Sequence, residues 1–255
     1  MDIKNINKEY WENRASGYSE VNKEELAGVQ RKNWSRFLKN EIMNHFKGKT
    51  PSEISVLDIG AGPGFLSIIL AEQGFKVTAV DGADNMLSQA KENAGSLKSR
   101  IIFIKADAEN LDFKPHTFDV ILSRNLTWNL PHPKKAYEGW MKVLKKGGMM
   151  LVFDANWYHY LIDEQKLAAY NADRENVKAL GLGDYNIGEN FDVMENIART
   201  LPMTEKVRPA WDASVLTELG ASAIDTVENI GESLYSQKEL INYKATPLFM
   251  VKAIV

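Results

Sequence analysis

Apolar residues in this chain follow two rhythms. Short blocks, Val56 to Ile59, Lys76 to Asp81, Ile101 to Ala108, Phe118 to Asn125 and Met149 to Phe153, read as largely buried strands. Between them, apolar positions return every three or four residues, the spacing of an amphipathic helix. Trp34, Phe37, Leu38, Ile42 and Phe46 give such a face to a helical region from Glu24 to Phe46, which Gly48 to Pro51 stop. Further helices are predicted near 64–73, 84–95 and 133–146, the last closed by Gly147-Gly148. The tail adds a helix from Ala213 to Gly220 and strands from Ala223 to Val227 and Leu248 to Val255. Seven strands alternating with helices make an α/β chain whose mostly parallel sheet is covered on both faces. One stretch breaks the alternation. From Ala155 to Ala210 the chain inserts two or so helices, a turn at Gly181 to Tyr185 and a helix near Asp192 to Thr200.

Chemistry concentrates where the first strand ends. Val56-Leu57-Asp58-Ile59-Gly60-Ala61-Gly62-Pro63-Gly64-Phe65 is a strand, a glycine turn and a helix start. Glycine lets backbone and ligand approach closely, and the N–H groups of the following helix are open to polar ligand groups. The spacing is G-x-G-x-G, not the G-x-G-x-x-G of dinucleotide sites, since Phe65 stands where that pattern needs its third glycine. Asp58 repels a pyrophosphate and suits a ligand bearing an ammonium and a sulfonium, which favours S-adenosylmethionine. Asp81 closes the second strand 21 residues after Gly60, a spacing at which an acid takes the two ribose hydroxyls. Asp107 follows the third strand, so three consecutive strands each carry a carboxylate at or near the sheet edge where ligands bind.

With Val80-Asp81, Asn85-Met86-Leu87, Lys105-Ala106-Asp107-Ala108, Phe118-Asp119-Val120 and Val143 to Gly148, the chain resembles the class I S-adenosylmethionine-dependent methyltransferases that act on small molecules. The resemblance covers about Asn5 to Asp154 and Trp211 to Val255. It implies a Rossmann-like seven-stranded sheet whose last strand is antiparallel and inserted beside the fifth. It implies Gly60 and Gly62 on the methionine part of the cofactor with Asp58 nearby, Asp81 and Gly82 at the ribose, and Met86 on the adenine. Asp107 and Ala108 would meet the adenine edge, and Asn125 the sulfonium end. Tyr10 to Tyr18 resembles the opening of these enzymes, where an aromatic in the position of Tyr18 covers the methionine; Trp11 and Tyr18, seven apart, equally suit a helix docked on the core. Residues 1–50 then form an N-terminal helical cap, 51–154 and 211–255 the cofactor-binding core, and 155–210 a helical lid.

Many relatives carry histidines where Trp128 and Asn129 stand, so these two become acceptor-site candidates without an evident base. His132 and His159 are the candidate bases, and a mechanism by positioning alone stays open. Trp157, Tyr158 and Tyr160 either cage the acceptor or pack the lid onto the core, and the lid as a dimerisation arm is a third possibility. Arg174, Arg199 and Arg208 are candidates to pair a substrate carboxylate. The four histidines, at 45, 116, 132 and 159, have no metal-ligand spacing, so no metal is expected. The absence of cysteine removes thiolate chemistry. A net charge of −3 argues against nucleic acid. No apolar run approaches a membrane span and no signal-peptide core is evident, so a cytoplasmic protein is expected, monomeric or homodimeric. Two other readings stand beside the methyltransferase: a non-catalytic S-adenosylmethionine-binding protein and a nicotinamide-dependent oxidoreductase.

Overall fold

The computed structural model describes residues 3–187 and 191–255. Two helices open the chain, α1 (Ile3–Ala27) and α2 (Val29–His45). The predicted helical region from Glu24 is thus divided at Gly28. A Cβ there would sit 3.1 Å from the Glu24 carbonyl, a tight contact, and would displace the end of the Gln30 side chain. The alternating part follows as β1 (Ser55–Ile59), α3 (Phe65–Glu72), β2 (Lys76–Asp81), α4 (Asp84–Ala94), β3 (Ile101–Lys105), β4 (Phe118–Arg124), α5 (Pro133–Val143) and β5 (Leu144–Asp154). The insertion holds α6 (Glu164–Ala179) and α7 (Phe191–Ala198). The tail runs α8 (Ala210–Glu218), β6 (Ala223–Val227), α9 (Gly231–Leu234), α10 (Gln237–Asn242) and β7 (Phe249–Ile254), of which α9 and α10 have no counterpart in the sequence reading. Among the described residues no helix is long and apolar enough to cross a membrane.

The strands form one sheet in the order β3-β2-β1-β4-β5-β7-β6, with β7 antiparallel between β5 and β6. Side chains alternate across it. Val56 joins Trp34, Leu38, Phe65 and Ile69 on the face covered by α2 and α3. Leu57 and Ile59 join Tyr137, Trp140 and Leu216 on the face covered by α5 and α8. Trp34 is fully buried, its ring 4.8 Å from that of Phe153, which fixes α2 within the core layer. Strand order reverses between β1 and β4, and there a crevice opens at the strands' carboxyl ends.

Two boundaries differ from expectation. Helix α5 stops at Val143, and Leu144 already pairs with Phe118, so Gly147-Gly148 lie inside an irregular strand instead of closing a helix. Gly147 takes φ +73°, and its N–H and the Gly148 carbonyl bond the backbone of Val255, so the terminal strand tethers the bulge. Strand β3 ends at Lys105, and Asp107 turns away to bridge Asn110.

Where the insertion rejoins the core, charge is buried. Arg208 donates from Nη1 to Asp154 at 2.6 Å and from Nε and Nη2 to Asp212 at 2.8 and 2.7 Å, with all three side chains at most 1% exposed. Tyr137 donates its hydroxyl to Asp212. Removing one member of such a cluster strands its partners without water, which costs about 3–5 kcal/mol. The variant Arg208→Met should lose stability in that range by urea denaturation; a loss below about 1 kcal/mol would show that the carboxylates are otherwise satisfied.

Candidate active site

The glycine turn is shaped for close approach. Gly60 and Gly62 have φ +67° and +52°, and a Cβ on Gly60 would lie 2.8 Å from Leu126. Gly62 donates its N–H to Asp81 at 2.9 Å, and the other oxygen of Asp81 accepts the N–H of Ala83 at 2.9 Å. Asp81 thereby ties the turn to the start of α4. Burial raises its pKa, opposed by these two N–H donors. Asp58 faces α3, where the Ser67 hydroxyl donates to it at 2.6 Å. Burial pushes the Asp58 carboxyl up to about 6 against that bond. It lines a small cavity under the turn with Tyr18 and Arg124, and not the larger crevice.

Helix α1 straps the crevice by contacts that no local pattern announces. Lys4 pairs with Asp107 and Glu109, and Asn7 donates to the carbonyl of Asn129 at 2.8 Å. Glu12 accepts the N–H groups of Asp84 and Asn85, each at 2.8 Å, and so caps α4 from another helix. Glu25 holds Arg124 through two bonds of 2.8 and 2.9 Å, and the Arg124 guanidinium lies 4.7 Å from the Phe65 ring centre. These residues were missed because each partner lies 72 to 122 positions away.

Two cavities meet under this strap. One, of about 160 Å³, is lined by Tyr18, Gly60, Gly62, Asp81, Gly82, Met86, Asp107, Ala108 and Asn125, which are the expected cofactor positions apart from Asp58. Asp107 reaches it already paired with Lys4. Asn129, expected at the acceptor, lines this cavity instead. The second, of about 170 Å³, is lined by Trp128, Trp157, Tyr158 and Tyr160 together with Tyr10 and Arg14. Trp11, Tyr18 and Asn125 line both. Asn125 holds a left-handed φ of +55°, and its Oδ1 is buried without a hydrogen-bond partner, as are Oδ1 of Asn7, Oδ1 of Asn129 and Nε1 of Trp11. Unpaired buried groups that converge on one space are available to a polar ligand.

The aromatic side chains of the second cavity both line it and pack. Trp128 and Tyr158 lie 5.0 Å apart by ring centres, Tyr160 stacks on Tyr170 at 4.0 Å, and the Tyr160 hydroxyl donates to Glu195 at 2.7 Å. Asp154 orients two of them, accepting the N–H of Trp128 at 3.0 Å and the indole N–H of Trp157 at 3.1 Å. The expected bases are elsewhere. The His132 side chain is 68% exposed at the start of α5, its Nδ1 3.2 Å from Glu109, and His159 lines neither cavity. The three arginines are also engaged away from both: Arg174 with Asp184, Arg199 with the Leu161 carbonyl, and Arg208 in the buried cluster.

A sheet in this order, with a glycine turn after β1 and an acid closing β2, is the arrangement implied by the sequence resemblance to class I S-adenosylmethionine-dependent methyltransferases. Residues 57–152 match the family model described as "Methyltransferase domain". A ubiquinone biosynthesis O-methyltransferase from Caulobacter sp. (strain K31) is 32% identical over 126 residues, 47% of this chain and 50% of that protein. A phosphatidylethanolamine N-methyltransferase from Cereibacter sphaeroides is 30% identical over 139 residues, 54% of this chain and 63% of that protein. The chain spans about half to three fifths of these relatives. The Haemonchus contortus phosphoethanolamine N-methyltransferase 2, solved with S-adenosyl-L-methionine, shares the fold with a TM-score of 0.56 at 19% identity, over 84% of this chain and 52% of that one.

Asp58 gives a pH test. Below about pH 6 it is protonated and above it is a carboxylate, so a cationic ligand group beside it binds better as pH rises. Affinity for S-adenosylhomocysteine, which keeps the ammonium, should rise severalfold between about pH 5 and pH 7, roughly as a one-unit pKa drop on binding requires. Calorimetry at several pH values reads this. A flat profile, or one unchanged in Asp58→Asn, would remove Asp58 from the ammonium.

Proposed function

We propose that this protein transfers the methyl group of S-adenosylmethionine to a nucleophile of a small molecule. The observation that carries the reading is the junction of two cavities at Trp11, Tyr18 and Asn125. When bound in the first cavity, the cofactor supplies an electrophilic methyl on a sulfonium, which an O, N, C or S nucleophile displaces in line. Asp81, with spare lone pairs beside its two backbone bonds, takes the ribose hydroxyls, and Met86 packs on the adenine. Asn125 and Tyr18 stand where donor and acceptor meet.

The chain's own contribution is alignment and exclusion of water. Among the described residues, the acceptor cavity is lined by no histidine and no carboxylate. Burial raises the pKa of its phenols at Tyr10, Tyr18 and Tyr158. The acceptor atom therefore arrives with its lone pair free, and residues 155–210 act as a lid that holds it in line.

Calorimetric titration should show binding of S-adenosylmethionine and S-adenosylhomocysteine and none of NAD. Asp81→Ala should weaken the first two by about 2–4 kcal/mol through loss of charge-assisted hydrogen bonds. Unchanged affinity would refute the ribose assignment, and binding of NAD alone would overturn the reading of the glycine turn.

A further inference from the structure

Among the described residues four cations line the two cavities, and Lys4, Lys8 and Arg124 border the first only. Arg124 is held by Glu25, and Lys4 by Asp107 and Glu109. The fourth, Arg14, lines the acceptor cavity. Its neighbours one helical turn away on α1 are Tyr10, Trp11, Gly17 and Tyr18, so its own helix offers it no acid. Of the described carboxylates, the two that bond lining side chains are engaged: Asp154 with Arg208 and the Trp157 indole, Glu195 with the Tyr160 hydroxyl. Among the described residues that line it, Arg14 is the charged group, set in a wall of indole and phenol rings.

A guanidinium in such a wall is poorly hydrated, and its planar fork matches an oxyanion through two parallel hydrogen bonds. Among the described residues, the cavity's charge is the wrong sign for a free amine acceptor and the right one for an acid. We infer that the methyl acceptor is an organic oxyanion, a carboxylate or phosphate on a planar apolar body, with its charge seated on Arg14 and its body among Trp128, Tyr158 and Trp157. The arginines of the insertion are engaged elsewhere; the anchor sits on the N-terminal helix, whose Trp11 and Tyr18 also border the cofactor cavity. The inference rests on the methyltransferase reading above.

The test separates the two. Protein saturated with S-adenosylhomocysteine is titrated with 3,4-dihydroxybenzoate, its neutral amide and phenyl phosphate, following quenching of tryptophan fluorescence. The carboxylate or the phosphate should bind at least about tenfold more tightly than the amide, and whichever does so names the head group. Arg14→Gln should abolish that preference and Arg14→Lys retain part of it, both with wild-type affinity for S-adenosylhomocysteine. Equal binding of acid and amide, no binding of either anion, or a preference that survives in Arg14→Gln would overturn the inference. Loss of S-adenosylhomocysteine binding in Arg14→Gln would also overturn it, by placing Arg14 in the cofactor site. Failure of the wild-type protein to bind S-adenosylhomocysteine would instead sink the methyltransferase reading.

Discussion

Asp154 is the point on which the site depends. It ends β5 at the crevice and is fully buried, and its two oxygens accept five hydrogen bonds: from Thr127, the backbone of Trp128 and Ala155, the Trp157 indole and Arg208. A carboxylate withdrawn from water is tolerated only when its lone pairs are met, and here nearly every one is. Through one side chain the sheet, the loop after β4 and the insertion are held in register. Two of the rings lining the acceptor cavity take their orientation from it.

Helix α1 is the second constraint, and it works from outside the sheet. Its acidic residues satisfy groups that the alternating part leaves open, Glu12 the first turn of α4 and Glu25 the guanidinium of Arg124. Its apolar residues Ile3, Ile6, Tyr10 and Trp11 share one cluster with Met194 and Ile197 of α7. The second cavity is therefore walled by the first helix and the insertion together.

The fold was legible because it is written locally. Blocks of apolar residues closed by Asp81, or by Asp58 ahead of glycine, mark strands whatever they pair with, and the glycine turn carries its own dihedral requirement at Gly60. Boundaries were less legible where long-range pairing overrides local preference. Lys142 to Lys146 looks like a helix end, yet Leu144 is drawn into the sheet by Phe118, and Gly147 is held by the terminal strand.

The part of the first cavity's lining that follows strand ends could be numbered from the sequence, because a strand's end points to one place in an α/β sheet, whereas Lys4, Asn7 and Glu109 could not. Those that line the second cavity could be only half named. Trp128, Trp157, Tyr158 and Tyr160 stand out as rings near the right strands, but Arg14 and Tyr10 lie on a helix some 110 residues or more before them. By itself the sequence determined the strands, the turn and the acids at strand ends, since these follow from periodicity and glycine, while the placing of the antiparallel last strand came only from the family resemblance. Only the tertiary structure decided which charges remain open. It buried Arg208 against two acids, turned His132 to solvent and left Arg14 facing the acceptor cavity, and each outcome depends on a partner distant in the chain.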